Sequence, residues 1–145
     1  MQVYLAAPFF SDEQVARVEA IEKALTVNAT VDDFYSPRLH QDTEAEQFSA
    51  EWAKEVFKRD VTQVMQADVL VTVADYVHDD ADSGTAFEQG MAYALNKPVV
   101  MFEEVPYKTN LMLTESLTTF VNQAKTLETL DFTNLPETTF EGERL

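Results

Sequence analysis

Residues 68–102 read DVLVTVADYVHDDADSGTAFEQGMAYALNKPVVMF. Two short apolar runs, DVLVTVA (68–74) and PVVMF (98–102), enclose a helical pattern over about Gly84 to Asn96. Continuous apolar runs of this length suit strands covered on both faces. The alternation continues outward on both sides. Before it stand VYLAA (3–7), a helix from about Asp12 to Val27, a weak strand near VDDFYS and a long helix from about Glu44 to Gln66; after it comes a last helix from about Leu111 to Ala124. Strands alternating with helices predict an α/β fold, a flavodoxin-like or Rossmann-like parallel sheet of about five strands flanked by helices.

In such a sheet ligands sit beyond the carboxyl ends of the strands, near a topological switch point. The segments to inspect are AAPFFSDEQ (6–14), YSPRLHQ (35–41), ADYVHDDADSG (74–84) and EEVPYKTN (103–110). With 145 residues and no internal repeat or linker, the chain is expected to form one domain over 1–145. The polar tail from Asp131 to Leu145 reads as a docked extension.

Acidic residues number 26 against 10 lysines and arginines, a formal charge of -16 with no basic cluster, which argues against a nucleic-acid or anionic-membrane partner. The absence of cysteine removes disulfide frameworks, thiolate metal sites and thiol catalysis together. MQVYLAAPFF has no basic leader, and no segment reaches spanning length, so a cytoplasmic protein is expected.

On a helical wheel Ala86, Phe87, Gly90, Met91, Ala92, Ala94 and Leu95 make a broad apolar arc, with Gln89, Tyr93 and Asn96 opposite. Glu88 falls inside the arc. Asp60 repeats the anomaly on the long helix, four residues after Val56 and four before Val64, on the face that Trp52 begins. Desolvating a carboxylate costs several kcal/mol, roughly, so such groups persist where a partner compensates them or function requires them. Each alone reads equally as a boundary residue. Together, with Asp82 nearby, they suit glycosyl chemistry, in which one carboxylate meets the anomeric carbon and another handles the leaving group's proton. Asp82 and Ser83 also read as an ordinary N-cap. Asp79, Asp80 and Asp82 lack calcium-loop spacing, and no metal or cofactor is expected.

The first loop, AAPFFSDEQ, holds no glycine and so lacks the turn that cradles phosphate. Phe9 and Phe10 instead offer flat surfaces for a nucleobase, or serve as core aromatics. Tyr4 reads as an ordinary core tyrosine of the first strand, or as one whose hydroxyl reaches a carboxylate and orients it. His40 and His78 form no ligand pair and read as loop residues.

These phrases resemble the nucleoside 2-deoxyribosyltransferases of lactic-acid bacteria, in YLAAPFFSDEQ, YSPRLHQ, KRDVTQVMQADV, DSGTAFEQGMAYALNKPVV and TNLMLTESLTTF. APFFSDEQ and DSGTAFE look closer to the purine-restricted branch. The resemblance implies that Glu88 is the nucleophile, that Asp60 and Asp82 hold the deoxyribose and assist proton transfer, that Tyr4 orients Glu88 and that Gln41 touches the base. It implies a homo-oligomer, a hexamer built as a trimer of dimers or a dimer, in which Asn110 and Met112 complete a neighbour's site. Some members end in a tyrosine whose carboxylate reaches the site; this chain ends FEGERL, at Leu145. The expected reaction exchanges nucleobases on 2-deoxyribose by a retaining double displacement through a deoxyribosyl-glutamate. The rivals are an N-glycosidase acting on deoxynucleosides or their 5′-monophosphates, and a non-catalytic nucleoside-binding module.

Overall fold

A computed structural model describes residues 1–74, 76–77 and 80–145, with side chains for 1–74 and 81–145. His78 and Asp79, and the side chain of Asp80, lie outside the described residues. The main sheet has five parallel strands in the order β2-β1-β3-β6-β8. They are β1 (Gln2–Ala6), β2 (Asp33–Tyr35), β3 (Val69–Val73), β6 (Val99–Phe102) and β8 (Thr119–Val121). This is the doubly wound order of a flavodoxin-like fold. The helices are α1 (Asp12–Val27), α2 (Ala50–Gln66), α3 (Ser83–Ala94), α4 (Leu111–Thr114) and α5 (Ala124–Leu127). Two small pairs complete it: β4 (Tyr76–Val77) antiparallel to β5 (Asp80–Ala81), and β7 (Lys108–Thr109) parallel to β9 (Glu143–Arg144).

Strand period sets which residue meets which helix. Val3 and Leu5 join Val69, Val71, Val73, Val100 and Phe102 in a core closed by α1, α5 and Phe132. Tyr4 and Ala6 point the other way, with Leu70 and Val99, toward Val64 of α2 and Ala92 of α3. Tyr4 therefore leaves the sheet between the two helices that carry the suspect carboxylates.

Local side chains fix where the helices begin. Ser11 accepts from the Gln14 amide at 3.2 Å and Ser49 from the Trp52 amide at 3.1 Å, each at an N-cap. The second cap corrects the expected start of the long helix: residues 44–48 lie outside α2, and Phe48 turns into Ser49 at a φ of 69°. A non-glycine residue there is strained.

The expected helix from Leu111 to Ala124 is also corrected. It stops at Thr114, Thr119–Val121 forms an edge strand on β6, and a helix resumes at Ala124. Thr118, Thr119 and Val121 are β-branched and favour the strand, while the Ser116 hydroxyl donates to the Met112 carbonyl at 2.6 Å and competes with helical pairing. The tail does dock: Phe132 and Phe140 are buried, and the Phe120 amide donates to Thr138 Oγ1 at 2.7 Å.

The wheel for α3 needs revision as well. Thr85, Gln89 and Ala92 are buried, whereas Phe87, Gly90, Tyr93, Ala94 and Leu95 are exposed. Gln89, placed on the polar side by its type, is among the most buried side chains of the chain. Phe87, placed in the core by its type, instead packs across the surface on Phe57 of α2, with ring centroids 6.0 Å apart.

Candidate active site

A cleft of about 770 Å³ opens beyond the carboxyl ends of β1, β2 and β3, the position an α/β sheet offers a ligand. Three of the four segments flagged in the sequence line it: Phe9 and Phe10 after β1, Pro37, Arg38 and Gln41 after β2, and Asp82, Gly84 and Thr85 where α3 begins. The fourth, 103–110, does not. Trp52, Val56 and Asp60 of α2 form the opposite wall. With Val64 they recur every four residues, a stripe descending from the cleft into the core. Asp60 is thus brought inward by helical period, as its spacing predicts.

Glu88 lies on the floor. The Tyr4 hydroxyl donates to Glu88 Oε1 at 2.5 Å, so the strand tyrosine holds the helix carboxylate across the layer boundary. Burial is the main cause that pushes the Glu88 carboxyl up to about 7; the Tyr4 bond opposes this, and the charges of Asp60 and Asp82 add to it. Burial beside that carboxylate also drives the Tyr4 hydroxyl far above its usual range, so it remains a donor wherever the protein is folded.

Asp60 is shifted upward too, first by burial, with Arg59 pulling it back. Its Oδ1 receives long contacts at 3.4 Å from both the Tyr35 hydroxyl and Arg59 Nε. Tyr35 stacks on Tyr4 at 5.8 Å and on His40 at 4.4 Å, so His40 is a loop residue that props this wall. Asp82 is the N-cap of α3: one oxygen, Oδ2, accepts from Thr85 N at 2.8 Å and Thr85 Oγ1 at 2.9 Å. The ordinary capping reading of Asp82 holds, and it lines the cleft as well.

Phe9 and Phe10 stack on each other at 5.7 Å, with Phe10 73% exposed, and both line the cleft. Gln41 is exposed at the rim, its Nε2 donating to the Arg38 carbonyl at 3.0 Å. Asn110 and Met112 do not line this cleft. Asn110 caps α4 by accepting from the Met112 amide at 2.9 Å, and Met112 is 72% exposed.

Several residues of the site were not singled out in the sequence. Arg38 is held by the buried Glu22, whose Oε1 accepts from Arg38 Nε at 3.2 Å and from Ser36 Oγ at 2.7 Å and whose Oε2 meets Arg38 Nη2. This clamp fixes the loop that carries Gln41. Arg59 reaches from Asp60 to the Asp42 carbonyl at 3.2 Å and ties the following loop to α2. The signal was a glutamate on the inner face of α1, the same kind of misplaced charge that drew attention to Glu88. Among the described residues no group of histidine or carboxylate side chains could hold a metal, and no helix is long and apolar enough to cross a membrane.

Three comparisons bear on this arrangement. The sequence model for nucleoside 2-deoxyribosyltransferase matches residues 3–127. A nucleoside deoxyribosyltransferase of Limosilactobacillus fermentum is 32% identical over 152 aligned positions, covering 96% of this chain and 86% of that protein. Among solved structures, a 2-deoxyribosyltransferase from Bacillus psychrosaccharolyticus superposes with a TM-score of 0.86 at 35% identity, over 97% of this chain and 99% of the other. A conserved protein from Enterococcus faecalis V583 (TM-score 0.59, 22% identity, 99% and 89% covered) shares the fold. By sequence over most of its length and by structure over nearly all of it, the chain belongs to the nucleoside 2-deoxyribosyltransferase family of transferases.

Proposed function

We propose that the chain, acting as one domain over residues 1–145, transfers 2-deoxyribose between nucleobases by a retaining double displacement with Glu88 as the nucleophile. The observation that carries this is the 2.5 Å bond from Tyr4 to Glu88 on the floor of a cleft that also holds Asp60 and Asp82. Glu88 keeps one oxygen on Tyr4 and attacks C1′ of a 2′-deoxynucleoside with the other. The C1′–N bond breaks, its electron pair stays on the base, and Asp60 supplies the proton that the departing nitrogen needs. An incoming base then attacks C1′, the ester to Glu88 breaks, and the proton returns to Asp60.

Burial shifts the Asp60 carboxyl upward, the direction that favours a proton donor. Asp82, fixed by its capping bonds, holds the sugar. Phe9, Phe10 and Trp52 give the base an apolar, stackable setting, and Gln41 meets its polar edge. Excluding water from this setting favours a base over water as the acceptor. Asn110 and Met112, which do not line their own cleft, complete the site of a neighbouring subunit in a homo-oligomer, a dimer or a hexamer of three dimers, in the cytoplasm.

The rival that cleaves 5′-monophosphates needs cationic donors for the phosphate. The cleft's two arginines are already engaged by the protein, Arg38 by Glu22 and Arg59 by Asp60 and the Asp42 carbonyl, which disfavours this rival. The test follows products by chromatography after mixing the protein with adenine and either deoxyinosine, thymidine or deoxyinosine 5′-monophosphate. Exchange is expected with deoxyinosine, and the purine-restricted reading expects none with thymidine. Release of free deoxyribose phosphate from the monophosphate, with no exchange on the nucleoside, would replace this reading by the hydrolytic one.

A further inference from the structure

Gln89 follows the nucleophile directly on α3 and is 1% exposed. Its amide joins three parts of the fold. Oε1 accepts from Thr72 Oγ1 on β3 at 2.8 Å; Nε2 donates to the Leu113 carbonyl at 2.8 Å and to Ser116 Oγ at 2.9 Å. Both amide hydrogens are committed, and the Ser116 hydroxyl passes the chain on to the Met112 carbonyl at 2.6 Å. Leu113 and Ser116 belong to the turn that Asn110 opens and Met112 follows. One side chain therefore connects the nucleophile's helix to the segment that displays Asn110 and Met112.

An apolar residue of similar volume would fill this space without desolvating an amide. A fully satisfied buried amide does something an apolar residue cannot: it admits one rotation of the helix and rejects others. That matters one position away. Turning a helix by about 10° moves a side-chain atom about 6 Å from its axis by about 1 Å, and a misplacement of about 1 Å can cost on the order of a hundredfold in rate. Glu88 is held at its tip by Tyr4, and the middle of its helix is held by Gln89.

We propose that Gln89 is a positioning residue that locks the Glu88 helix and the Asn110–Met112 segment into one rigid unit. A subunit's own nucleophile and the groups it lends to its neighbour are then set together. This rests on the reading of Glu88 as nucleophile and of Asn110 as part of a shared site.

The test is a double-mutant cycle between Gln89→Met and Asn110→Ala, read as kcat/KM for base exchange, with melting temperature and oligomer mass recorded for each variant. Gln89→Met is expected to lower kcat about tenfold with KM for the base within about twofold. Asn110→Ala alone should lower kcat/KM about tenfold, yet cost about threefold or less once Gln89 is methionine. Ser116→Ala, which keeps the Thr72 bond and removes one link to the turn, should show the same loss of additivity at smaller amplitude; it decides the matter if Gln89→Met does not fold. Equal penalties for Asn110→Ala in both backgrounds, or wild-type kcat in Gln89→Met, overturn the coupling. An Asn110→Ala variant with unchanged kinetics instead removes the shared-site reading beneath it.

Discussion

Replacing Glu88 by glutamine is expected to abolish base exchange, by on the order of ten-thousandfold or more, while leaving the protein folded and, above neutrality, more stable than the parent. The loss follows from the proposed role: without a carboxylate the proposed covalent intermediate cannot form, and removal of an enzyme nucleophile has effects of this size. The gain follows from burial. A carboxyl raised from an ordinary 4.5 to about 7 binds its proton more tightly in the folded than in the unfolded chain. Its contribution to stability is complete below about 4.5 and is lost as pH rises through about 7. At pH 8 the folded protein carries a desolvated charge at a cost on the order of 3 kcal/mol, which glutamine avoids while still accepting from Tyr4. The melting temperature of Glu88→Gln relative to the parent should therefore rise between pH 5 and pH 8. A difference independent of pH would show that Glu88 is not the buried carboxyl described here.

Tyr4→Phe should give the second largest effect, a fall in kcat of about a hundredfold and a displaced pH profile. The Tyr4 bond is what holds the Glu88 carboxyl down against burial and against the charges of Asp60 and Asp82. Removing it shifts that carboxyl further upward. As the proposed nucleophile Glu88 must be ionised, so the rising acid limb of kcat/KM, which reports the free enzyme, is expected to move to higher pH in the variant. An unchanged limb with reduced kcat would assign Tyr4 to packing alone. Tyr4 is also fully buried against Tyr35, and phenylalanine preserves that stack.

Much of this was legible because period-2 and period-3.6 patterns report burial directly. The strands from Val3, Val69 and Val99 and the helix from Asp12 to Val27 emerge at nearly their observed bounds, and Asp60 announces itself by falling on the stripe of Trp52, Val56 and Val64. The edge strand at Thr119–Val121 was hidden, since its residues continue an apolar pattern that also fits a helix and only tertiary pairing with β6 decides. Gln89 and Phe87 exchanged places for a related reason. Residue type predicts exposure only when the amide lacks partners and the aromatic lacks a surface neighbour; here the amide has three partners and the ring has Phe57. Glu88 keeps its anomalous position under either version of the wheel, because it borders the buried face of Thr85, Gln89 and Ala92.

The pocket's outer wall was the least legible part. Residues 44–48 read as the start of the long helix, yet they lie outside α2, and Thr43, Ala45, Gln47 and Phe48 line the cleft. Their course depends on Arg59 reaching the Asp42 carbonyl and on the strained φ of Phe48 just before the α2 cap. Long-range contacts of this kind leave no local pattern.

As the proposed nucleophile, Glu88 is expected to become covalently attached to the sugar during turnover. The direct measurement is to quench the enzyme during turnover of a deoxynucleoside without an acceptor base, digest it, and locate the modification by mass spectrometry. One deoxyribosyl group is expected, esterified to Glu88 and removed when adenine is added before the quench. A deoxyribosyl group on Asp60 or Asp82, or exchange proceeding in Glu88→Gln with no modified residue, would contradict this expectation.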